Sequence, residues 1–267
     1  MSGRRLPIAR WLLVAVASLG CAHRAPTTPK TLVAVFAHPD DEILVGPLLA
    51  AEAREGTRVQ LILVTAGGNG TARTAIPAGT ELARVRTEEA RCSARALGID
   101  PPIVLGFEDG QLGRFARPAP AHLDSIAGAL AREFARLGPD AIVTFGPEGA
   151  DGHPDHRLVS AVVSQLVQAG PAGGPALFYA GFPADRVSGD LGSGAPWLPT
   201  DTAFLTTRIP YLPADIAATR AALRCHQTQI PPDEIDADVQ WYEAAFRGTV
   251  YLRPWRGEAG RPGGLFR

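Results

Sequence analysis

This sequence lacks an excess of charge of either sign. Across 267 residues Lys and Arg number 26 and Asp and Glu 27, and no basic stripe runs through the body of the chain. Gripping a phosphate backbone takes a concentrated positive face, so nucleic acid is excluded as an expected partner. Also missing is an apolar run of the roughly 20 residues that a membrane-crossing helix needs. No internal repeat or low-complexity block is present, which removes solenoids and compositionally disordered chains from consideration. Cysteine is scarce, with Cys21, Cys92 and Cys225 alone. Once Cys21 is set aside with the N-terminal segment, two remain, and two cysteines do not imply a disulfide.

What is present is enough apolar material for a sizeable core: 46% apolar against 20% charged residues. That balance fits one α/β unit of ordinary size. The first residues stand apart. Arg4, Arg5 and Arg10 precede the apolar run Trp11 to Leu19, which ends in Gly20 and Cys21, the layout of a secretory signal. Leu19-Gly20-Cys21 resembles a bacterial lipoprotein processing site, so residues 1–21 are expected as a signal, with Cys21 lipidated or the segment removed by cleavage nearby. Residues 22–30 then serve as a tether, 31–253 as the folded domain and 254–267 as a C-terminal tail. The expected location is outside the cytoplasm, in the cell envelope or periplasm, with the membrane touched only through the lipid.

Along the domain, short β-branched apolar runs alternate with amphipathic stretches. Residues 31–37 (TLVAVFA) and 59–65 (VQLILVT) read as strands buried on both faces, and 103–106 and 141–145 as further strands. Residues 42–55, 81–97, 120–137 and 156–168 read as helices, three of them stopped by Gly56, Gly98 and Gly138. Strands near 176–179 and 203–209, a helix at 213–229 and an aromatic, β-branched stretch at 241–253 follow. The pattern predicts a single-domain, Rossmann-like α/β fold, a mostly parallel sheet with helices on both faces. Two long Gly- and Pro-rich loops, 67–79 and 181–200, are candidate pocket walls. In such sheets ligands bind beyond the carboxyl ends of the strands.

Two clusters occupy that position. Ala37-His38-Pro39-Asp40-Asp41-Glu42 follows the first strand, and Gly152-His153-Pro154-Asp155-His156 follows the fourth. Taken singly, the aspartates are equally well read as helix caps and the histidines as ordinary loop residues. Taken together, three of the chain's six histidines stand with four carboxylates at two neighbouring sheet edges. Imidazole and carboxylate suit zinc, and a catalytic site needs three protein ligands with one position open. The prolines stiffen both loops by fixing φ and biasing the preceding histidines toward extended backbone.

AHPDDE at 37–42 and HPDH at 153–156 resemble the signature of the LmbE-like, PIG-L-type zinc deacetylases, which act on N-acetylglucosamine-containing lipids and thiol precursors. Arg86 and Glu89 followed by Leu97-Gly98 resemble that family's RxxE helix, Asp109-Gly110 its acidic turn, and residues 222–229 its late helix with a histidine. The resemblance spans most of 31–253. It implies one Zn2+ per chain on His38, Asp41 and His156, donors that Fe2+ or another divalent metal also satisfies. It implies that Asp40 is the general base and that His153 protonates the leaving amine or steadies the oxyanion, with Asp155 orienting it. Arg86 and Asp109 are implied to contact sugar hydroxyls. One position departs from the pattern: several members carry Tyr where this chain has Asp151. His226, behind an apolar helix face, is expected to be a hydrogen-bonded core residue.

The expected activity is therefore hydrolysis of an N-acetyl or N-acyl amide on an amino sugar or glycoconjugate, the substrate being a small molecule or glycan. Three rivals share some of these features. They are an esterase on the same metal, a non-catalytic glycan-binding lipoprotein, and a non-haem iron oxygenase using His38, Asp40 and His156 as its triad.

Overall fold

The central strand β1 (Thr31–Phe36) is buried along its whole length, as an unbroken apolar run must be when helices cover both faces of the sheet. It pairs in parallel with β2 (Arg58–Thr65) on one side and β4 (Ala141–Phe145) on the other. The computed structural model describes residues 29–114, 125–171, 174–187, 197–256 and 265–266. The expected signal segment and Cys21 lie outside these residues, as do nearly all of the tether, most of the C-terminal tail and part of the 181–200 loop.

Beyond β2 lies β3 (Asp100–Phe107), and beyond β4 lies β5 (Ala176–Ala180), both parallel to their neighbours. Two antiparallel strands, β7 (Thr249–Pro254) and then β6 (Thr207–Pro210), complete a seven-stranded sheet of order β3-β2-β1-β4-β5-β7-β6. The crossovers are α1 (Gly46–Arg54), α2 (Thr80–Leu97), α3 (Ile126–Leu137) and α4 (Pro154–Ala169). Helix α5 (Pro213–Leu223) packs on α1 and α2, while α3 packs on α4. The fold is thus the expected α/β domain. The strand order reverses direction between β1 and β4, and the crevice at such a reversal is where these sheets hold ligands. Both sequence clusters emerge there.

Several elements differ from the expected ones. The helix expected over 42–55 is split into a 3-10 turn, Asp41–Val45, and then α1. The side chains of Asp41 and Glu42 turn into the protein, and the helix restarts where Pro47 falls in its first turn and needs no donor. The helix expected over 213–229 stops at Leu223. Beyond it, Cys225 is bonded to Cys92, and the Thr228 N–H and hydroxyl both donate to Glu89, at 2.8 and 2.6 Å. The closing 241–253 stretch divides at Arg247 and Gly248, both at positive φ, with α6 (Ile235–Phe246) ending before them and β7 following. Ile235, Val239, Tyr242 and Phe246 are the buried stripe of α6, spaced as an amphipathic helix requires.

The Cys92–Cys225 disulfide joins α2 to the segment leaving α5 across 133 positions of sequence. Closing a loop of that size removes much of the unfolded chain's freedom. Replacing both cysteines with serine is expected to cost about 2–4 kcal/mol, lowering Tm by roughly 5–15 °C. Reductant should lower the melting point of the wild type by a similar amount and leave the double variant unmoved. Coincident melting curves for the two proteins would show that the bond contributes nothing.

Candidate metal centre

Past Phe36 the chain turns over the sheet edge, and the Asp41 carboxylate closes that turn. Its Oδ2 accepts the backbone N–H groups of Ala37 at 3.1 Å and His38 at 2.7 Å. Its Oδ1 stands 3.2 Å from His156 Nε2. His38 Nδ1 lies 3.2 Å from the same His156 nitrogen and 3.4 Å from Asp41 Oδ2. All three side chains are buried. A tetrahedral ion with bonds of about 2.0–2.1 Å sets its ligand atoms about 3.3–3.4 Å apart, so the two 3.2 Å separations at His156 Nε2 and the chemistry of these donors suit a divalent cation.

The neighbours of each imidazole explain how it is aimed. His156 stacks on Phe145, the last residue of β4, with centroids 4.1 Å apart. Its Nδ1 faces the Gly149 carbonyl at 3.1 Å and Asp151 Oδ1 at 3.0 Å. Asp151, the position expected to depart from the family pattern, therefore orients a candidate ligand, and it also accepts the His153 backbone N–H at 2.9 Å. His38 Nε2 lies 3.0 Å from Asp109 and 3.5 Å from Asp155, close to both but aligned with neither for a hydrogen bond. Carboxylates behind a ligating histidine fix its orientation and raise its basicity.

Charge follows from this nesting. Burial works against a charged His156, but Asp41 and Asp151 push its pKa up to about 10. Burial likewise disfavours charge on His38, and Asp109, Asp155 and Asp41 outweigh it and raise the imidazole. Asp41 is held well below the ordinary carboxylate range, its burial overcome by His156 and His38. The surrounding carboxylates that raise the imidazoles also favour a divalent cation, which must displace the imidazole protons to bind.

Asp40 stands beside the trio in a backbone conformation rare for a side-chain-bearing residue, with φ at 111°. Its N–H donates to Glu42 Oε2 at 3.0 Å, and its Oδ2 accepts from Arg86 Nη2 at 3.1 Å. Burial raises the Asp40 carboxyl to about 6, against the opposing pull of Arg86. Arg86 is 3% exposed. Its guanidinium also donates to the carbonyls of Gly67 and Pro39, so it ties the 67–79 loop to the metal loop from inside the protein. A Cβ at Gly67 would lie 2.5 Å from that guanidinium, and only glycine permits the approach.

His153 caps α4, its Nδ1 accepting the Asp155 N–H at 3.2 Å. Burial and the nearby His156 and His38 lower its pKa. Neutral, and with Nδ1 occupied as an acceptor, it carries its proton on Nε2. The Asp155 carboxylate, expected to orient it, makes its hydrogen bonds elsewhere. That carboxylate accepts the N–H groups of Gly110 at 2.8 Å and Leu112 at 3.3 Å, so it pins the turn after β3 and faces His38. Only its backbone reaches His153. Two other donor groups among the described residues, His38 with His153 and His156, and His38 with Asp109 and Asp155, converge within 4.8 Å.

Composition and spacing do not expose one supporting pair. Glu42, fully buried, accepts from Ser93 and faces His226 Nε2 at 2.7 Å. His226 is the core histidine expected. The available signal was Glu42 itself, since a glutamate drawn into the core must find a partner.

A model of the PIG-L family, described as GlcNAc-PI de-N-acetylase, matches residues 33–167, just over half of the chain and both clusters. The chain belongs to the PIG-L family. Among similar PIG-L proteins is the 1D-myo-inositol 2-acetamido-2-deoxy-alpha-D-glucopyranoside deacetylase of Mycobacterium sp. (strain JLS), 30% identical over 228 residues, which cover 74% of each chain. The corresponding deacetylase 1 of Catenulispora acidiphila is 33% identical over 170 residues, 57% of this chain and 53% of that one. This chain thus aligns with between half and three quarters of these relatives' length. Among solved structures, the N,N'-diacetylchitobiose deacetylase of Pyrococcus horikoshii shares the fold, with a TM-score of 0.63 at 18% identity, covering 85% of this chain and 84% of that one.

The expectation of an exported, envelope-anchored protein does not hold. The PIG-L relatives are named for a sugar-inositol small molecule, and no helix among the described residues is long and apolar enough to cross a membrane.

Substituting His226 with Ala should leave Glu42 buried without its cationic partner, at a cost of about 3–5 kcal/mol. Urea unfolding monitored by circular dichroism reads this directly, and a midpoint equal to the wild type's would show that the pair supports nothing.

Proposed function

We propose that this PIG-L chain is a metal-dependent amidase that removes an acyl group from the nitrogen of an N-acylated amino sugar. The observation that carries the reading is the convergence of buried His38, Asp41 and His156, with His156 Nε2 3.2 Å from both His38 Nδ1 and Asp41 Oδ1, and a separate carboxylate, Asp40, beside them. The named activities of the relatives support the same reaction class. His38, Asp41 and His156 hold the ion, and two imidazoles with one carboxylate favour zinc. When bound, such an ion supplies Lewis acidity, lowering the pKa of water toward about 7 and polarising an amide carbonyl.

The remaining roles belong to the protein. Asp40, with a proton affinity raised by burial to about 6, takes the proton of the attacking water and passes it to the departing nitrogen, and a base poised near neutrality suits both transfers. The His153 Nε2–H donates to the oxygen on which charge develops. Arg86 positions Asp40 from inside the protein, Asp151 sets the orientation of His156, and Asp109 places negative charge 3.0 Å from His38 Nε2. For Arg86 and Asp109 these supporting roles fit the geometry better than the direct sugar contact the family pattern implies. The iron-oxygenase reading needs Asp40 as a ligand, yet Asp41 meets the imidazoles while Asp40 is turned to Arg86.

Asp40→Asn is expected to bind zinc as the wild type does, by metal analysis, while kcat for amine release falls about 10²- to 10⁴-fold. Wild-type turnover in that variant would refute the assignment. Stripping the metal with a chelator should abolish turnover and zinc should restore it. Full activity in verified metal-free protein would overturn the reading.

A further inference from the structure

A cavity of about 350 Å³ opens from Asp40, Asp41 and His156 and runs away from them between α5, α6 and the segment around Trp197. That is within the size range of small-molecule sites and far more than an acetyl methyl occupies. Apolar side chains, among them Leu44, Ile216, Val239, Trp197, Trp241 and Tyr242, form the larger part of its walls, and Arg73, Thr219, Gln229, Glu234 and Asp238 stand beside them. Phe182, Trp197 and Trp241 form one aromatic cluster, with the Phe182 and Trp197 centroids 4.6 Å apart.

Three of the polar side chains in these walls are turned to the protein's own backbone. The Tyr242 hydroxyl donates to the Leu44 carbonyl at 3.2 Å, the Thr219 hydroxyl to the Asp215 carbonyl at 2.9 Å, and the Gln229 amide to the Gly70 carbonyl at 2.9 Å. Arg73 is paired with Glu234. A sugar ring entering the stretch between Leu44, Ile216, Val239 and the aromatic cluster would bury hydroxyls that find few partners, at a cost for each one left unmet. An apolar chain meets no such cost and gains by leaving water.

Position decides which half of the substrate enters. His153, Asp109 and Asp155 do not line the cavity. The polar, hydrogen-bonding side of the centre is theirs, and the apolar side belongs to the cavity. We infer that the cavity is an acyl pocket, and that the substrate is an amino sugar whose nitrogen carries an apolar acyl chain longer than acetyl, of medium chain length. This rests on the amidase reading above. Water adds to the acyl carbon, the carbon–nitrogen bond breaks, the chain leaves as a carboxylate, and the proton from water ends on the amine.

The test compares N-acetyl-, N-butanoyl-, N-hexanoyl- and N-octanoyl-glucosamine on the zinc-loaded full chain, measuring amine release. The expected result is a kcat/KM that rises at least tenfold from acetyl to octanoyl. In Val239→Phe, which narrows the cavity, the octanoyl-to-acetyl ratio should fall at least tenfold. A second measurement needs no turnover: tryptophan emission, reporting Trp197 and Trp241, should shift and saturate with octanoate and stay unchanged with acetate at equal concentration. A kcat/KM flat or falling with chain length while acetyl is hydrolysed overturns the acyl pocket and leaves the amidase reading standing, and so does an emission unmoved by octanoate. Hydrolysis of none of the four amides overturns the amidase reading and the pocket with it.

Discussion

Asp41 Oδ2 accepts two backbone N–H groups from the loop that carries His38, and the rest of the centre depends on that closure. It folds the chain back over the end of β1 and sets the direction of His38. It also leaves Oδ1 facing the imidazole that arrives from the other side of the strand-order reversal. One oxygen is structural and the other chemical. A carboxylate with both oxygens committed to backbone would build the same loop without a site. One with neither committed would leave a mobile ligand and lose the pre-organised spacing that a metal rewards.

Around that clamp the protein has taken an unusual amount of charge out of water. Asp41, His38, His156, Asp155, Glu42, His226 and Arg86 are all buried. Each is acceptable because it is matched: Glu42 with His226, Arg86 with Asp40 and two carbonyls, His156 with Asp41 and Asp151, Asp155 with two backbone donors. Removing one member of such a set strands its partner, and that cost exceeds any modest net gain from forming the pair. The centre is therefore rigid for the same reason that it is chemically active. The raised proton affinity of Asp40 and the acceptor role of His153 Nδ1 both follow from what surrounds them.

Much of this was legible in the amino-acid order. The apolar, β-branched runs of β1, β2 and β4 announce buried strands, and Gly98 and Gly138 stop α2 and α3 where expected. The two histidine-aspartate strings follow the strands whose carboxyl ends form the crevice. What stayed hidden depends on partners distant in sequence. Arg86 looks like one charge among several on α2, and only the 67–79 loop folding over it makes it an interior anchor. Asp151 looked like the loss of a family tyrosine, and its role appears once His156 is placed beside it. The Cys92–Cys225 bond depends on α5 lying across α2, and α6 was masked by an aromatic, β-branched composition shared with the strand that follows it.

The central claim is that His38, Asp41 and His156, and no other trio of these neighbouring donors, hold the ion. X-ray absorption at the metal edge of the zinc-loaded chain tests it most directly, with Asp41→Ala measured alongside. The account expects two imidazole nitrogens and a carboxylate oxygen at about 2.0–2.2 Å, with the carboxylate contribution lost in the variant. Three imidazole nitrogens, placing His153 on the metal, or a first shell unchanged by the loss of Asp41, would contradict it.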